Sequence, residues 1–496
     1  MMLDDSIIAP LLTDAYKLGH GAMEPIGTEL VYSNGTCRSA KRAKVLPDFD
    51  NKVVIANTQA MARYLLKDYW NKTFFHQKKD DVMDIYKTVV DSMMGNGRVN
   101  IDAMAQLHDL GYLPIHVKSL PDGSRVNIRV PFYTIANTHR DFAWVTNYLE
   151  SQMSAETWKP IVNATVAREF NRSMIKYANE TGVDLTFVDV QGHDFSMRGM
   201  SGVWDGIINA AAHLYSFKGT DTVGAIPFLM KYYPGDPNEI IGKSVIATEH
   251  SLSELARPEN ELFNLRRLIK EVHPNGILSY VADTWDYWRV IGEYFKILKP
   301  EIMERDGTLV ARPDSGDPVL IMCGDESKPV GSLEYKGTAE VLYDNFPGPN
   351  TGKGFKQLDS HVGSIYGDSI SLERHEAIAS RLKAKGFANN VLVYGIGSYT
   401  YNYCTRDTFG MAIKATFGKI SGEEFDLFKD PKTDDGVKKS AKGRVRVEFE
   451  DGDFKLYDQQ TEEQEKRGLL KTLFLDGNVG ETQSLKQVRE RVIRGY

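Results

Sequence analysis

Cysteine is scarce in this sequence. Three cysteines occur among 496 residues, at Cys37, Cys323 and Cys404. Thiols so few and so far apart exclude a disulfide framework and a zinc site built from paired cysteines. Reduced, unpaired thiols are therefore expected.

Basic residues and long apolar runs are also in deficit. With 67 acidic residues against 60 lysines and arginines, the net charge is −7, which argues against general affinity for nucleic acid or an anionic membrane. The uncharged stretch at 387–405 is rich in Asn, Gly and Tyr, unlike a membrane span of about 20 apolar residues. The N-terminus is acidic where a signal peptide is basic. We therefore expect a cytoplasmic protein that binds neither nucleic acid nor membrane.

The length and a hydrophobic content of 42% fit a globular protein of two or three domains. Residues 1–183 mix helical and strand-like patterns, which indicates an α+β segment. Within it we expect one helix at 140–158 and a second from Pro160 to a glycine stop at Gly182, since proline favours the first turn of a helix. The other elements predicted there are a strand at 29–37, helices at 59–70 and 80–94, and two or three strands within 112–137.

Residues 184–417 follow a different pattern, in which an apolar run ends in polar residues and a helical pattern often follows. Such βα units predict a parallel sheet, and polar residues at the carboxyl ends of its strands predict a site at one end of a barrel. The apolar runs lie at 185–190, 244–248, 277–282, 309–311, 362–366 and 391–394.

The predicted fold class is therefore α/β, an irregular (βα) barrel with a second, mixed α+β domain built from the N-terminal and C-terminal segments. The barrel carries an insertion near 325–355 that is too long for a plain crossover. The C-terminal segment, residues 418–496, contains a basic run from Lys429 to Arg446 and is expected to join the N-terminal domain. It contains a predicted hairpin between 444–448 and 454–457.

The most distinctive strand end lies at 309–318, where an apolar run leads into Arg312, Asp314 and Gly316. Arg312 can bind a phosphate through two nitrogens, Asp314 can accept hydrogen bonds from sugar hydroxyls, and Gly316 lets the backbone approach a ligand closely. The same residues are typical of an ordinary turn closed by a surface ion pair. This segment alone leaves both interpretations open.

Other strand ends carry similar chemistry. Phe195 and Arg198 can hold a flat ring and reach a phosphate, or be a core aromatic beside a surface arginine. His250 can exchange protons or accept a phosphoryl group, or be a structural histidine. The glycines of 367–369 and 395–398 offer backbone N–H groups to phosphate. Without a Walker loop or a dinucleotide fingerprint, the set predicts a phosphorylated sugar bound over the barrel mouth.

Ten short motifs lie along nearly the whole chain: LLTDAYK at 11–17, YS at 32–33, CR at 37–38, HDFSMRG at 193–199, FKGTDTV at 217–223, ATEHS at 247–251, RPDSGDP at 312–318, YGDS at 366–369, TRD at 405–407 and FKDP at 428–431. In this order they resemble the motifs of the nicotinamide phosphoribosyltransferases, in the type II phosphoribosyltransferase class. Each motif is weak alone, whereas their common order is highly specific. Ile396, Ser398 and Tyr399 depart from the pattern, because better-known members carry glycines there.

The resemblance implies a pentosyl transfer, in which nicotinamide displaces pyrophosphate from 5-phosphoribosyl-1-pyrophosphate to give nicotinamide mononucleotide for NAD salvage. It implies Mg²⁺ held mainly by the pyrophosphate, ATP as co-substrate or activator, and a homodimer with active sites at its interface. The implied catalytic residues are His250, which ATP would phosphorylate, together with Arg312 and Asp314.

The resemblance also implies roles in binding. Phe195 would stack on the pyridine ring together with Tyr16 of the partner subunit. Asp221 would accept the carboxamide N–H, and Arg198 would reach the substrate phosphate. The other positions implied for substrate binding are Asp14, Ser279, Asp283, Gly367, Asp368, Gly397, Ser398, Arg406 and Lys414, and those implied for polyphosphate are Arg38, Lys429 and Lys438.

Three alternatives remain at this point. A nicotinate phosphoribosyltransferase is the nearest, and a carboxylate at Asp221 that faces the ring substituent argues against it, because it welcomes an amide and repels an acid. A sugar-phosphate isomerase or aldolase would want a lysine or carboxylate base at a strand end, and none of the six ends carries a lysine. A metabolite-binding protein would bind without turnover. Glycosyl transfer fits best, since it needs positioning and charge stabilisation more than a strong base.

Overall fold

The computed structural model describes residues 6–428 and 441–495. Two seven-stranded sheets organise this part of the chain, one parallel and one antiparallel. None of the helices within the described residues is both long enough and apolar enough to span a membrane.

The parallel sheet is built from the βα region, and every neighbouring pair of its strands is parallel. A further parallel bridge joins Gly219, on one edge, to Lys243, just before the other edge strand. The sheet therefore curls into half a barrel, which confirms the predicted fold class. Its strands, in spatial order, are Gly219–Thr220, Gly192–Asp194, Val393–Ile396, Val362–Tyr366, Leu309–Arg312, Leu278–Val281 and Ile246–Ala247.

The predicted strand at 185–190 is wrong, since these residues are helical. Asp184 accepts a hydrogen bond from the Thr186 N–H at 2.8 Å and caps a helix start there. The strand begins at Gly192 instead, where a Cβ would lie 2.6 Å from the ring of Phe217. The other five predicted strands overlap strands of the parallel sheet, and the two-residue edge strand at 219–220 was too short to predict from alternation.

The antiparallel sheet combines both ends of the chain. Strand Thr28–Thr36 pairs with Ala412–Ile420 on one side and with Pro131–Asn137 on the other. This pairing brings the C-terminal segment onto the N-terminal one, while the domain boundaries at 183 and 417 stay a prediction. The strands, in spatial order, are Glu423–Asp426, Ala412–Ile420, Thr28–Thr36, Pro131–Asn137, Ile115–Ser119, Lys471–Leu475 and Asn478–Val479.

One continuous helix, Glu150–Thr181, replaces the helix start predicted at Pro160. A proline at this position cannot donate to the carbonyl of Glu156, four residues earlier. Asn57 Nδ2 donates to that carbonyl instead, at 2.7 Å, so the helix continues through the proline. The prediction was wrong because the compensating partner is distant in sequence, whereas the stop at Gly182 is confirmed by its φ of 77°.

The insertion near 325–355 holds two short helices and a hairpin. The predicted C-terminal hairpin is confirmed as Arg444–Glu450 and Asp453–Gln460. Asp451 and Gly452 form its turn with φ of 55° and 82°, as a tight two-residue hairpin turn requires. The insertion elements are Leu333–Lys336, Thr338–Asn345, Pro347–Asn350 and Lys356–Leu358. The other described helices of eight or more residues are the π-helix Ala62–Tyr69 and the α-helices Lys79–Met94, Asp102–Leu110, Val203–His213, Ala225–Tyr232, Leu372–Ala384 and Leu485–Arg494.

An apolar cluster packs behind two central strands of the parallel sheet, Leu278–Val281 and Leu309–Arg312. Successive residues of a strand point to opposite faces. Tyr280 is part of the cluster, whereas Ser279 and Val310 line a cavity on the other face. Strand alternation thus places small and polar side chains inside the half-barrel.

Candidate active site

The carboxyl end of strand Leu309–Arg312 is tied to the neighbouring strand by Asp283. The Asp314 N–H donates to Asp283 Oδ2 at 2.8 Å, and Ser315 Oγ donates to the same oxygen at 2.6 Å. The Asp283 side chain is only 5% exposed, and its Oδ1 accepts no hydrogen bond from the described residues. Asp283 therefore fixes the tip of the strand and keeps one buried acceptor free.

His250 lies beside this tip. Its Nδ1 is 3.1 Å from Thr284 Oγ1, and its Nε2 is 3.8 Å from both Asp283 Oδ1 and Asp314 Oδ2. The imidazole is 41% exposed, so a dissolved ligand can reach it. Three separate strand ends thus place His250, Asp283 and Asp314 close together.

Arg312 connects this cluster to an aromatic ring. Its Cζ lies 5.2 Å from the centroid of Phe195, and its Nη2 lies 3.6 Å from Asp314 Oδ2. The Nε atom is buried without a hydrogen-bond partner among the described residues. The guanidinium is thus held in place and retains donor capacity for a ligand.

Two glycines allow these side chains to approach the backbone. A Cβ at Gly367 would lie 2.6 Å from Asp314 Oδ1 and 3.0 Å from Arg312 Nε, and a Cβ at Gly395 would lie 2.5 Å from the Phe195 ring. Contacts this short are not tolerated by real side chains. Gly367 was predicted to line the phosphate path, and the structure adds a steric reason for glycine there.

Asp221 lines the cavity inside the half-barrel at its ring end, the end that also carries the Phe195 ring. It has two hydrogen-bond partners. Its Oδ1 is 2.8 Å from His193 Nε2 and also accepts a hydrogen bond from Ser244 Oγ. Burial acts to raise the pKa of Asp221, but these two hydrogen bonds and the charge of Arg312 hold it below its ordinary value. The carboxylate is therefore ionised at neutral pH.

His193 and Ser244 are functional candidates that the sequence interpretation missed. Both contact Asp221 and line the same cavity. His193 belongs to the motif at 193–199, from which only Phe195 and Arg198 were predicted to bind a ligand. Its position at the end of a strand was the signal that could have identified it, whereas the sequence around Ser244 contains no such signal.

A cavity of about 420 Å³ runs through the interior of the half-barrel. Its wall includes the phenyl ring of Phe195, the carboxylate of Asp221 and the hydroxyl of Ser279. Small residues such as Gly363 and Ser364 keep its centre open. The volume suits a small heteroaromatic ring, and the charged end at Asp221 and Arg312 would orient its substituent.

The glycine turns at 367–369 and 395–398 were predicted to bind phosphate, and that role stays a prediction. Space is open around Gly397, since a Cβ there would meet no atom within 4 Å. A Cβ at Gly199 would overlap Ser398 Oγ at 1.9 Å, so the loop after Arg198 packs directly on Ser398. The side chains of Arg198 and Asp368 are both exposed. They are available to a ligand from solution.

Lys159, on the long helix, holds this loop from behind. Its Nζ donates to Asn402 Oδ1 at 2.6 Å and pairs with Asp205. Asn402 Nδ2 in turn donates to the Gly199 carbonyl at 3.1 Å. This buried lysine therefore joins the Arg198 loop to the segment that begins at Ser398.

A second group of predicted residues lies at the antiparallel sheet. Lys414 Nζ is 3.7 Å from Glu150 Oε1. Burial lowers the pKa of Lys414, and Glu150 partly offsets this by raising it. The charges of Arg38, Lys17 and Arg406 lower it further. Four cations therefore lie in one region, which is a setting for a polyanion.

Tyr16 and Asp14 belong to this second region. Asp14 accepts a hydrogen bond from Ser151 Oγ beside the start of the long helix, and the Tyr16 ring is 60% exposed. The predicted residues thus fall into two groups with different partners, one at the barrel mouth and one at the antiparallel sheet. Lys429 and Lys438 lie outside the described residues.

The barrel mouth suits a magnesium ion that is bound jointly by protein carboxylates and by phosphate oxygens of the substrate. Within the described residues, no cluster of three or more His, Cys, Asp and Glu side chains forms a metal cage. Mg²⁺ is typically bound by one or two carboxylates together with phosphate oxygens and water. Asp283, with its free Oδ1, and Asp314 supply carboxylates of that kind.

Comparison with known proteins gives consistent results. Residues 190–478 match the nicotinate phosphoribosyltransferase (NAPRTase) family. Nicotinamide phosphoribosyltransferase of Acinetobacter baylyi is 48% identical over 97% of this chain and 96% of its own length, and that of Mycoplasma pneumoniae is 31% identical over 88% and 94%. Two solved structures share the fold: nicotinate-nucleotide pyrophosphorylase from Pyrococcus furiosus (TM-score 0.59, 15% identity, 99% of this chain and 96% of that chain) and human nicotinic acid phosphoribosyltransferase (TM-score 0.53, 14% identity, 98% and 93%).

Proposed function

This chain belongs to the nicotinate phosphoribosyltransferase (NAPRTase) family and is a phosphoribosyltransferase, and on that premise we propose that its pyridine substrate is nicotinamide. The products are nicotinamide mononucleotide and pyrophosphate, formed from nicotinamide and 5-phosphoribosyl-1-pyrophosphate in NAD salvage. The observation that carries the proposal is the ionised Asp221 at the ring end of the cavity.

Asp221 supports the amide over the acid by electrostatics. A carboxylate accepts a hydrogen bond from the carboxamide N–H of nicotinamide, whereas it repels the carboxylate of nicotinate. Phe195 offers its ring face to the pyridine, beside the Arg312 guanidinium. The names of the Acinetobacter and Mycoplasma relatives agree with this choice.

The transfer itself requires positioning and charge stabilisation. The pyridine nitrogen forms a bond to C1 of the ribose as the bond from C1 to pyrophosphate breaks. Arg312 and Asp314 hold the sugar and its phosphate, and the open backbone at Gly397 admits phosphate oxygens. When bound, Mg²⁺ neutralises charge on the leaving pyrophosphate.

ATP stimulation through His250 extends this proposal. ATP would transfer its terminal phosphoryl group to Nε2 and leave as ADP. The contact of Nδ1 with Thr284 Oγ1 leaves Nε2 directed at the carboxylate cluster, and the exposed imidazole is open to a nucleotide.

A homodimer completes the proposal. Tyr16, Arg38, Arg406 and Lys414 form the second group of predicted residues, and they suit a role in which one subunit adds a ring and cations to the barrel mouth of its partner. The exposed Tyr16 ring and the crowding of cations around Lys414 support this arrangement. We also keep the cytoplasm as the proposed location, because the sequence carries so few cysteines.

The test is product formation from 5-phosphoribosyl-1-pyrophosphate and Mg²⁺ with nicotinamide or nicotinate, each with and without ATP. We expect mononucleotide from nicotinamide and faster turnover with ATP. Turnover of nicotinate instead would keep the fold and overturn the assignment of Asp221. No turnover of either base would overturn the proposed transfer.

A further inference from the structure

Asp194 is a buried carboxylate for which the proposed reaction has no use. It follows His193 in the strand at 192–194, and its side chain has no exposed area. Four hydrogen bonds converge on it within 3.1 Å. No cation of the described residues forms an ion pair with it, and neighbouring His213 is neutral, because burial lowers the pKa of that histidine to about 4.

One oxygen of Asp194 organises the loop that carries Phe195. Asp194 Oδ1 accepts from the Ser196 N–H at 3.1 Å and from Ser196 Oγ at 2.6 Å. Phe195 lies between these two residues, and its own N–H donates to the Ile396 carbonyl at 3.0 Å. The backbone on both sides of the aromatic ring is therefore fixed.

The other oxygen organises the loop that carries Asp221. Asp194 Oδ2 accepts from Thr220 Oγ1 at 2.8 Å and from Thr222 Oγ1 at 2.7 Å. Thr220 and Thr222 flank Asp221, whose N–H donates to the Asp194 carbonyl at 3.0 Å. All four donors thus come from residues next to the two groups that face the cavity.

We infer that Asp194 is a positioning residue for base specificity, which fixes the position of the Phe195 ring relative to the Asp221 carboxylate. The inference rests on the proposed function and deepens it. A carboxylate suits this role because it only accepts hydrogen bonds, and each of its oxygens can accept two. Hydrogen bonds to an ionised acceptor are also about twice as strong as neutral ones.

The relative position of these two groups matters because selectivity between amide and acid depends on a short contact between the Asp221 carboxylate and the substituent of the ring. A loop that moves by about 1 Å can cost 100-fold in an oriented reaction. The Thr222 hydroxyl donates to Asp194 and has no other hydrogen-bond partner among the described residues, whereas the Thr220 hydroxyl also accepts from the Thr222 N–H at 3.0 Å. Removing the Thr222 hydroxyl therefore tests positioning without touching the base.

The experiment compares Thr222→Val, which keeps the shape and removes the hydroxyl, with Thr222→Ser, which keeps the hydroxyl. We expect Thr222→Val to raise the KM for nicotinamide by about 5- to 20-fold and to lower the preference for nicotinamide over nicotinate by about 10-fold, as loss of one charge-assisted hydrogen bond implies. The KM for 5-phosphoribosyl-1-pyrophosphate should change less than about 2-fold, and Thr222→Ser should restore wild-type behaviour.

Thr165→Val is the matched control for general destabilisation. Thr165 is also a buried threonine, and its hydroxyl accepts from the Val54 N–H and donates to the Ile161 carbonyl, away from the barrel mouth. We expect it to lower the melting temperature without changing the preference between the two bases. If Thr222→Val lowers the melting temperature and leaves that preference unchanged, Asp194 has a purely structural role and the inference is overturned.

Two further measurements keep the test decisive. If Thr222→Val does not fold, Ser196→Ala removes one bond from the other loop, and an unchanged KM for nicotinamide in that variant overturns the inference. If the wild-type protein turns over neither base, the proposed function fails on its own. Calorimetric binding of nicotinamide to the same variants then decides whether Asp194 positions the pocket.

Discussion

At the scale of single residues, Asp221→Asn tests ring recognition most directly. Asparagine keeps the size of the side chain, removes the charge and adds an N–H donor that a nicotinate carboxylate can use. We expect kcat/KM for nicotinamide to fall by about 10- to 100-fold, or roughly 1–3 kcal/mol, and that for nicotinate to rise. Steady-state kinetics with both bases measure the change.

Asp359→Asn is the control for this substitution. Asp359 lines the same cavity, but at the amino end of the sheet, where it precedes the strand Val362–Tyr366 and contacts His361 at 2.6 Å. Asp359→Asn therefore controls for the loss of a carboxylate from the cavity wall away from Asp221, and it should leave the preference between the two bases unchanged. An unchanged preference in Asp221→Asn would remove Asp221 from the ring pocket.

The sequence allowed part of this cluster to be predicted. Arg312, Asp314 and His250 each follow an apolar run, and polar residues after parallel strands meet at one edge of the sheet. Their closeness in the structure is therefore expected. Ser244 carried no such signal, because the hydrogen bond that makes it relevant depends on how far the edge strand curls back.

At the scale of secondary structure elements, the contact between Asn57 and the Glu156 carbonyl explains how the long helix tolerates Pro160. Asn57 adopts φ of 65°, which glycine also tolerates. Asn57→Gly should lower the free energy of unfolding by about 1–3 kcal/mol, since it leaves a buried carbonyl without its partner. Urea denaturation measures the loss.

A double-mutant cycle with Pro160→Ala identifies the cause. Alanine restores an N–H that can donate to the same carbonyl, so the double variant should lose at least about 0.5 kcal/mol less than additivity predicts. The effect of glycine on the unfolded chain cancels in this comparison. Strict additivity would show that the two residues do not share the Glu156 carbonyl.

Acid stability is a second property at this scale, and it depends on the packing of helix Leu372–Ala384 against the long helix. His375 Nε2 lies 3.0 Å from Ser173 Oγ between the two helices. Burial lowers the pKa of His375 from 6.5 to about 4. Two smaller effects come from neighbouring charges: Glu376 raises this pKa, and Lys176 lowers it further. The folded state therefore binds this proton more weakly than the unfolded state.

The sign of the pH dependence follows. Stability from neutral His375 is fully present above pH 6.5 and is lost as the pH falls towards 4, by at most about 3 kcal/mol. His375→Gln should flatten this part of the stability profile, measured by urea denaturation between pH 7 and pH 4. His213, with its pKa also near 4, supplies the slope that remains. If the free energy of unfolding falls equally steeply between pH 7 and pH 4 in the wild-type protein and in His375→Gln, the prediction is contradicted.

Elements were predictable where the local pattern agrees with the final packing. The strand predicted at 362–366 matches the structure residue for residue, because its apolar run and its burial favour the same structure. The interpretation failed at 185–190 and at Pro160, where a capping aspartate and a distant asparagine decide the outcome. Neither partner is visible in the periodicity of its own segment.

At the scale of the whole molecule, the βα pattern was enough to predict the half-barrel, because five of its seven parallel strands coincide with a local apolar run. The antiparallel sheet is different. Its strand Thr28–Thr36 pairs with Ala412–Ile420, almost four hundred residues later, and no local pattern specifies such a pairing. The two ends of the chain were expected to join, but the strands that pair could not be named from the sequence.

The predicted site residues lie in two regions, the barrel mouth and the antiparallel sheet. Subunit complementation tests whether the two regions of different subunits form one active site. If one subunit supplies Arg312 and its partner supplies Arg406, then Arg312→Ala and Arg406→Ala each disable both sites of a homodimer. A mixed dimer of the two variants carries both defects in one site and leaves the other intact. Co-expression with two affinity tags and purification of the mixed dimer should yield about half of wild-type activity.

The control combines two defects from the same side of the site. Mixed dimers of Arg312→Ala with Asp221→Ala should stay inactive, because both residues contribute to the same barrel mouth and neither site is whole. Recovery with Arg406→Ala and none with Asp221→Ala would therefore assign the cations around Lys414 to the partner's site. Absence of recovery in both, with mixed dimers isolated, would place Arg312 and Arg406 in one site of a single chain, and the shared-site proposal would then be wrong.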